Sequence, residues 1–451
     1  MLQTVTSHTR QLLASDPNFK RLLTNSGWLL SGDSLTLVFN FLQGILVARL
    51  LGPEQFGILA LITAYTTAVN QLVDSRVWET VIKFVTRYLE AKDFVRATAV
   101  VKLCYLVDAL TGSLAFLILY FSAAVGARLF LQNEQQAYLI ELYAAMMLIM
   151  IPNGTTSALL RVNDRFNWLA YQRVGVAILK LIGTIVLFWF GGGVQEVLLI
   201  YMAATAIGIV SLMVMAHHIS HQLHLVTWFQ APLHLLKGEL SPVLEFLLMT
   251  NAGAFFKLLQ RNADMLLIGY WLSPAAAGYF RLARSFTDVM GFPINPIYTA
   301  SYPDFTRLWS QQRMIELKRL VRKLLVLTCT VMFVILLLMW VSAPWLIDFT
   351  VGVEYRPALP VLHWLALGTA LAAATNLGHP LLLAAGRVSS SLLAISLGVI
   401  VQLGLLVYLL PTSGIVGAGV AYIGFYLIWI VIVMGTIVSI FHGNDKQVES
   451  S

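Results

Sequence analysis

Runs of about twenty apolar residues, almost free of charge, recur along this chain from Asn25 onward. No other feature narrows its choice of fold so far. A helix needs about 20 such residues to cross the hydrocarbon core of a bilayer. Within that core every backbone polar group must be satisfied internally, which leaves helices or a closed barrel. Barrel strands would read as segments of about ten residues with alternating polarity, and these runs do not alternate. The chain is therefore expected to be an all-α polytopic membrane protein with about 12 transmembrane helices. The predicted spans lie near 25–51, 55–78, 100–122, 137–160, 170–190, 194–217, 242–272, 275–299, 322–347, 358–385, 390–410 and 413–440. Only 11% of the 451 residues are charged, against roughly a quarter in a soluble protein.

The formal net charge of +7 does not point to nucleic acid, because the basic residues sit in short segments between spans. Lys83, Arg87, Lys92 and Arg96, then Arg161, Arg165 and Arg173, then Lys237, then Arg307, Arg313, Lys318 and Arg319, and finally Arg387 and Lys446, all fall on one side. Arg10, Lys20 and Arg21 precede the first span on that same side. The other side holds little beyond Arg49, Arg128 and Arg356. Basic loops face the cytoplasm, so both termini are expected there, with the first span kept as an uncleaved anchor in the cell membrane. Cys104 and Cys329 fall inside apolar runs and read as packing residues.

The chain also repeats itself. Leu51-Gly52-Pro53-Glu54-Gln55-Phe56-Gly57 aligns with Leu272-Ser273-Pro274-Ala275-Ala276-Ala277-Gly278 at an offset of 221. At 222, Leu159–Arg165 falls on Leu381–Arg387, and the basic segment 86–102 falls on 308–324. One nearly constant offset indicates duplication of a six-helix unit. An even number of spans gives the two copies the same orientation, the parallel-repeat plan. The expected division is an N-terminal bundle at 1–220, a cytoplasmic linker at 221–240 and a C-terminal bundle at 241–451.

Polar residues then mark which spans face inward. Thr250, Lys257, Arg261 and Asp264 share one helical face, and Arg281, Arg284 and Asp288 share another. Arg261 and Arg284 lie about 11 residues from the Ser273-Pro274 hinge, roughly 16 Å at 1.5 Å per residue. A charge at that depth must face protein or water. In the repeat partner, Asp33, Thr36, Asn40 and Gln43 form one stripe, and Thr63, Thr67, Asn70 and Asp74 another. Spans 1, 2, 7 and 8 are thus expected to line a central chamber. The cations Lys257, Arg261, Arg281 and Arg284, with Lys180 from span 5, suit an anionic head group, because guanidinium forks match phosphate oxygens. Asn40, Gln43 and Asn70 would add neutral contacts. The alternative is internal pairing, Lys257 with Asp288 and Arg261 with Asp264.

Other features read as structural. His217, His218, His221 and His224 close span 6 without a carboxylate or cysteine to complete a metal site. Asn376 and His379 before Pro380 mark a kink in span 10. Gly414, Gly417, Ala418 and Gly419 form a small-residue packing face. No phosphate-binding G-x-x-x-x-G-K-[ST] loop is present, and no external loop is large enough to carry a catalytic cluster.

The segment Val47–Gly57 resembles the first hairpin of polysaccharide-export flippases. These belong to the multidrug/oligosaccharidyl-lipid/polysaccharide (MOP) exporter superfamily. Tyr279–Ala283 and Gly414-Ile415-Val416-Gly417-Ala418-Gly419 are similar to later segments of that group. The resemblance implies a MATE-like, V-shaped pair of six-helix bundles with alternating access, and no enzymatic step. It implies a lipid-linked oligosaccharide carried on a polyprenyl pyrophosphate as substrate, for exopolysaccharide or lipopolysaccharide synthesis. Membrane lipids and polysaccharide polymerase or assembly proteins would be its partners. It also implies that Lys257, Arg261 and Arg284 hold the pyrophosphate. The arginines that some members carry in span 1 are replaced here by Asp33 and Asn40. That leaves open a cation-coupled drug or metabolite exporter of the same fold, with H+ or Na+ taken by Asp33, Asp74, Asp264 or Asp288. A membrane glycosyltransferase or polymerase and a non-transporting scaffold are the remaining readings.

Overall fold

The computed structural model describes residues 17–223, 225, 231–236 and 262–449, and all regular structure among them is helical. The first helix, α1 (Pro17–Val73), is two apolar arms meeting at Gly52, where φ is 72° and ψ 172°. Glycine reaches that region without a Cβ clash. Pro53 then starts the second arm, its missing N–H falling where a helix's first turn has no partner to lose. Short helical turns over 77–90 lead to α2 (Phe94–Gly126), capped by the Asp93 carboxylate, which accepts the Arg96 N–H at 3.0 Å. The fourth predicted span is broken beside Pro152 into α3 (Ala137–Ile149) and α4 (Asn153–Val162). Helices α5 (Phe166–Phe190) and α6 (Val194–Gln222) complete the first half.

The second half follows a similar course. A helical run over 262–271 ends at Ser273, whose Oγ accepts the Ala276 N–H at 3.2 Å and starts α7 (Pro274–Gly291). Next come α8 (Asn295–Ser310) and α9 (Met314–Thr350). The tenth span is divided into α10 (Leu359–Thr375) and α11 (Gly378–Ala384), so the break does fall at Asn376. Helices α12 (Val388–Ser413) and α13 (Ile415–Glu449) end the chain. Nine helical stretches among the described residues are long and apolar enough to cross a membrane, with both arms of α1 counted as one. The predicted span 275–299 is split between α7 and α8 at Phe292–Ile294, and most of 242–272 lies outside the described residues.

Helix α9 carries its own ruler. Its last cation is Lys323, and exposed Trp345 and Phe349 mark its far end. The 22 residues from Lys323 to Trp345 span about 33 Å, matching a hydrocarbon core of about 30 Å with an aromatic belt at one face.

The two halves meet most closely where the arms bend. A β-carbon on Gly57 would overlap the Pro274 carbonyl, and one on Gly278 would overlap the Pro53 carbonyl. Three hydrogen bonds cross at the same end. Tyr355 donates its hydroxyl to the Ala48 carbonyl at 2.8 Å. Gln132 donates its amide to the carbonyls of Gly269 (3.2 Å) and Leu272 (3.0 Å). Here one apolar core draws on both halves, from Val47 and Leu61 to Phe280 and Leu362. Toward the opposite end the cores separate, one around Val81, Val100 and Leu160, the other around Phe305, Leu382 and Val433. The molecule is sealed at its hinge end and divided at its open end.

The turns are spaced regularly as well. Left-handed backbone occurs at Lys92 and Gln312, Gln132 and Gly352, Asp164 and Gly386, and Gly191 and Gly414. Within each pair the two residues stand 220 to 223 positions apart.

Candidate functional site

Three adjoining cavities run from the first half into the gap between halves. The first, about 530 Å³, lies within the first half and is lined by residues including Asn40, Asn70, Asp74, Asp108, Arg161 and Lys180. The second, about 260 Å³, shares Asn40 and Lys180 with it and adds Gln43, Tyr201, Arg281 and Ser285. The third, about 210 Å³, shares Thr63 and Arg281 with the second and adds Asp264, Arg284 and Asp288. Both arms of α1, with 262–271 and α7, therefore do supply the walls of the gap.

The charges are not distributed as expected. Arg284 donates from Nη1 to Asp264 Oδ2 at 3.0 Å, and its Nε lies 4.0 Å from Asp288 Oδ1. Its guanidinium also lies 5.0 Å above the Tyr422 ring. Asp264, buried, accepts in addition the Met265 N–H at 2.8 Å. The anticipated partner of Asp264 was Arg261, which lies outside the described residues. Among the described residues Arg284, the second residue of the α7 charged face, turns toward 262–271 and pairs with Asp264. Arg284 is thus paired with carboxylates in the wall of the gap. Thr250, Lys257 and Arg261 lie outside the described residues.

Lys180 and Arg281 stand differently. Neither forms an ion pair with a described residue, and both line the middle cavity, where no carboxylate is among the lining residues. Lys180 Nζ sits 5.1 Å over the Tyr201 ring. Gln43, buried, holds that ring in place by donating to Tyr201 Oη at 2.8 Å and to Thr184 Oγ1 at 3.2 Å. An ammonium over an aromatic face gains about 0.5–2 kcal/mol of attraction. The middle cavity thus presents two basic side chains, neutral amides and hydroxyls, and an aromatic wall.

The first cavity holds residues that pattern reading missed. Asp108, on α2, is buried and accepts both the backbone N–H (2.9 Å) and hydroxyl (2.6 Å) of Thr155, tying α2 to the start of α4. Its signal was a lone carboxylate inside an apolar run. Arg161 and Arg173, read as loop residues, belong to α4 and α5 because those helices outlast their apolar stretches. Arg161 stacks 4.9 Å over Trp78. Arg173 bonds Asp33 at 2.6 Å, so Asp33 is held in an ion pair. Asp74 lies just past the end of α1 and lines the first cavity. His217 and His221 touch at 3.2 Å, and no group of three metal-ligating side chains occurs among the described residues. Cys104 is in the core, whereas Cys329 is exposed on α9 rather than packed.

Residues 22–309 match the model of a family described as polysaccharide biosynthesis protein. The inner membrane protein YghQ of Escherichia coli is 23% identical over 299 residues, covering 65% of this chain and 82% of that protein. The teichuronic acid biosynthesis protein TuaB of Bacillus subtilis is 26% identical over 285 residues, 63% of this chain and 56% of TuaB. Among solved structures, an inward-facing multidrug resistance MATE family transporter of the MOP superfamily superposes with a TM-score of 0.75. It covers 91% of this chain and 96% of that one at 15% identity. The lipid II flippase MurJ, in an inward closed conformation, gives 0.72 over 91% and 87% of the two chains at 12% identity. The fold is that of these transporters.

Proposed function

Because the chain belongs to the polysaccharide biosynthesis protein family, we propose that it is a flippase for a lipid-linked oligosaccharide. In this reading the substrate's pyrophosphate is held between Lys180 and Arg281, and the glycan extends into the first cavity past Asn40 and Asn70. One observation carries it: two cations from different halves face one cavity in which no lining carboxylate neutralises them. A pyrophosphate between them would pull the halves together, and a neutral or cationic drug would not. The lipid tail would stay in the bilayer between the bundles. Residues 1–220 and 241–451 would act as two rocking bundles with the linker 221–240 between them. The recurrence of left-handed turns at 220 to 223 residues supports that division. The open end would face the cytoplasm together with both termini, as the basic segments require. Asp74 and Asp288, the less committed carboxylates of the outer cavities, remain the candidates for H+ or Na+ coupling.

The test is Lys180→Ala with Arg281→Ala. Charge-assisted contacts contribute about 1.5–3 kcal/mol each, so binding should weaken by roughly 10²–10⁴-fold. Export should fall to background in a strain lacking its own flippase, with the lipid-linked intermediate accumulating by mass spectrometry. Lys180→Arg with Arg281→Lys should restore it. Full export by the alanine pair in correctly inserted protein would end the proposal.

A further inference from the structure

A second cationic hollow lies away from the transport path, at the open end of the second half. Helices α8 and α9 meet there through the turn at Gln312 and enclose a groove of about 580 Å³. Two of its arginines are already engaged, Arg307 with Asp304 at 2.9 Å and Arg313 with Glu316 at 2.5 Å. Arg319 and Lys323 are exposed on the groove wall and form no ion pair with a described residue. Its remaining lining is apolar, Leu308, Ile315 and Leu320. The next turns of the same α9 face, through exposed Val326, Val334 and Leu337, are apolar apart from Thr330. Lys323 is also the last charge before the apolar stretch of α9, so the groove opens at the depth of lipid head groups.

The first half shows what happens when this surface has an occupant. Helix α2 is entered through the same left-handed turn, at Lys92, two residues before its start, as α9 is at Gln312. Counted from those starts, Arg319 and Lys323 of α9 stand where α2 has Ala99 and Leu103. Ala99 is fully buried. The turn Leu233–Leu236 packs on α2, and Lys102 Nζ donates to the Ala231 carbonyl at 3.0 Å. The chain's own linker fills the first surface; the second is left open and positive.

We infer that this groove binds the head group of an anionic phospholipid, with Arg319 and Lys323 on the phosphate and the acyl chains lying along the apolar face of α9. Basic residues at this depth gain about 1 kcal/mol each from an anionic leaflet, and a groove adds selectivity that a flat surface lacks. The site is separate from the transport cavities and does not depend on what they carry.

The test uses the full-length protein in mixed micelles of phosphatidylglycerol and phosphatidylcholine, with retained lipid counted by native mass spectrometry. The native chain should keep phosphatidylglycerol in preference by at least about fivefold. Arg319→Gln/Lys323→Gln should abolish that preference, and the charge-keeping Arg319→Lys/Lys323→Arg should preserve it. Lys92→Gln/Arg96→Gln, on the corresponding turn of the first half, should leave it unchanged. Millimolar inorganic phosphate should not displace the lipid. Unaltered preference in the glutamine pair, an equal loss in the first-half control, or displacement by phosphate alone would each overturn the assignment.

Discussion

The hinge end and the cavity between the halves are built from matched positions, yet they differ in kind. At the hinge end several contacts have a reciprocal. Gly57 lies against Pro274 and Gly278 against Pro53, while Tyr355 bonds Ala48 and Gln132 bonds Gly269, the residue 221 positions beyond Ala48. That is the pattern of a self-complementary twofold contact. In the cavity the same offset joins unlike residues: Gln43 with Asp264, Ala60 with Arg281, Thr63 with Arg284 and Thr67 with Asp288. Tyr201 in the cavity and Tyr422 beside Arg284 keep their identity, each with a cation over its ring. The close contacts are made through backbone, and the matched positions there keep glycine and proline. The cavity is lined through side chains, and those differ between matched positions. Lys180 from the first half and Arg281 from the second together make a cavity that neither half makes alone.

The reciprocity breaks most visibly if either crossing glycine is enlarged. Gly57→Val and Gly278→Val each force a side chain into a backbone carbonyl that cannot move without shifting the other half. Overpacking typically costs 1–3 kcal/mol, and a contact with backbone falls at or above the top of that range, about 3 kcal/mol. Both variants should lower the thermal midpoint in detergent by similar amounts. Gly435→Ala, where a β-carbon meets nothing within 4 Å, should leave it unchanged or slightly raised. A large effect from only one valine would show that the two crossings are not equivalent.

What was legible in the chain follows the same division. Apolar runs gave the spans because the bilayer imposes a length, and Gly52-Pro53 with Ser273-Pro274 gave the bends because both pairs act through the backbone. The offset of 221 was readable for that reason. Partner choice was not. Which carboxylate Arg284 meets depends on how 262–271 and α7 rotate against each other, and spacing along one helix leaves that undetermined. Arg161 and Arg173 were misplaced because polarity marks where a helix leaves the membrane, not where it ends. That Leu233–Leu236 covers α2 has no local signal at all.

The Arg284–Asp264 pair allows a second separation of structure from recognition. Asp264→Asn alone leaves a largely buried guanidinium with only Asp288 at 4.0 Å, and breaking such a pair costs about 3 kcal/mol, less what the partial exposure of Arg284 returns. Arg284→Gln with Asp264→Asn should regain most of that loss in the unfolding midpoint. It should also keep more than half of the transport, since the counterpart position Thr63 is neutral. Transport lost in a double variant of normal stability would return Arg284 to the substrate's side of the ledger and blur the contrast between wall and binding residues.

The smallest effects belong to the three crossing hydrogen bonds, and they sharpen the comparison most finely. Tyr355→Phe removes one bond and Gln132→Ala two, at about 1 kcal/mol per bond. If a state open at the hinge end lacks these bonds, the first change should raise its population about fivefold and the second about 30-fold. Together they should raise it by roughly 150-fold if the two latches act independently. Spin labels on Tyr138→Cys and Val353→Cys, both exposed near that end in a background without Cys104 and Cys329, report the separation by pulsed resonance. Effects that add in that proportion would mean that the two latches act independently. A dominant Tyr355 effect would mean that its bond to Ala48 carries the gate.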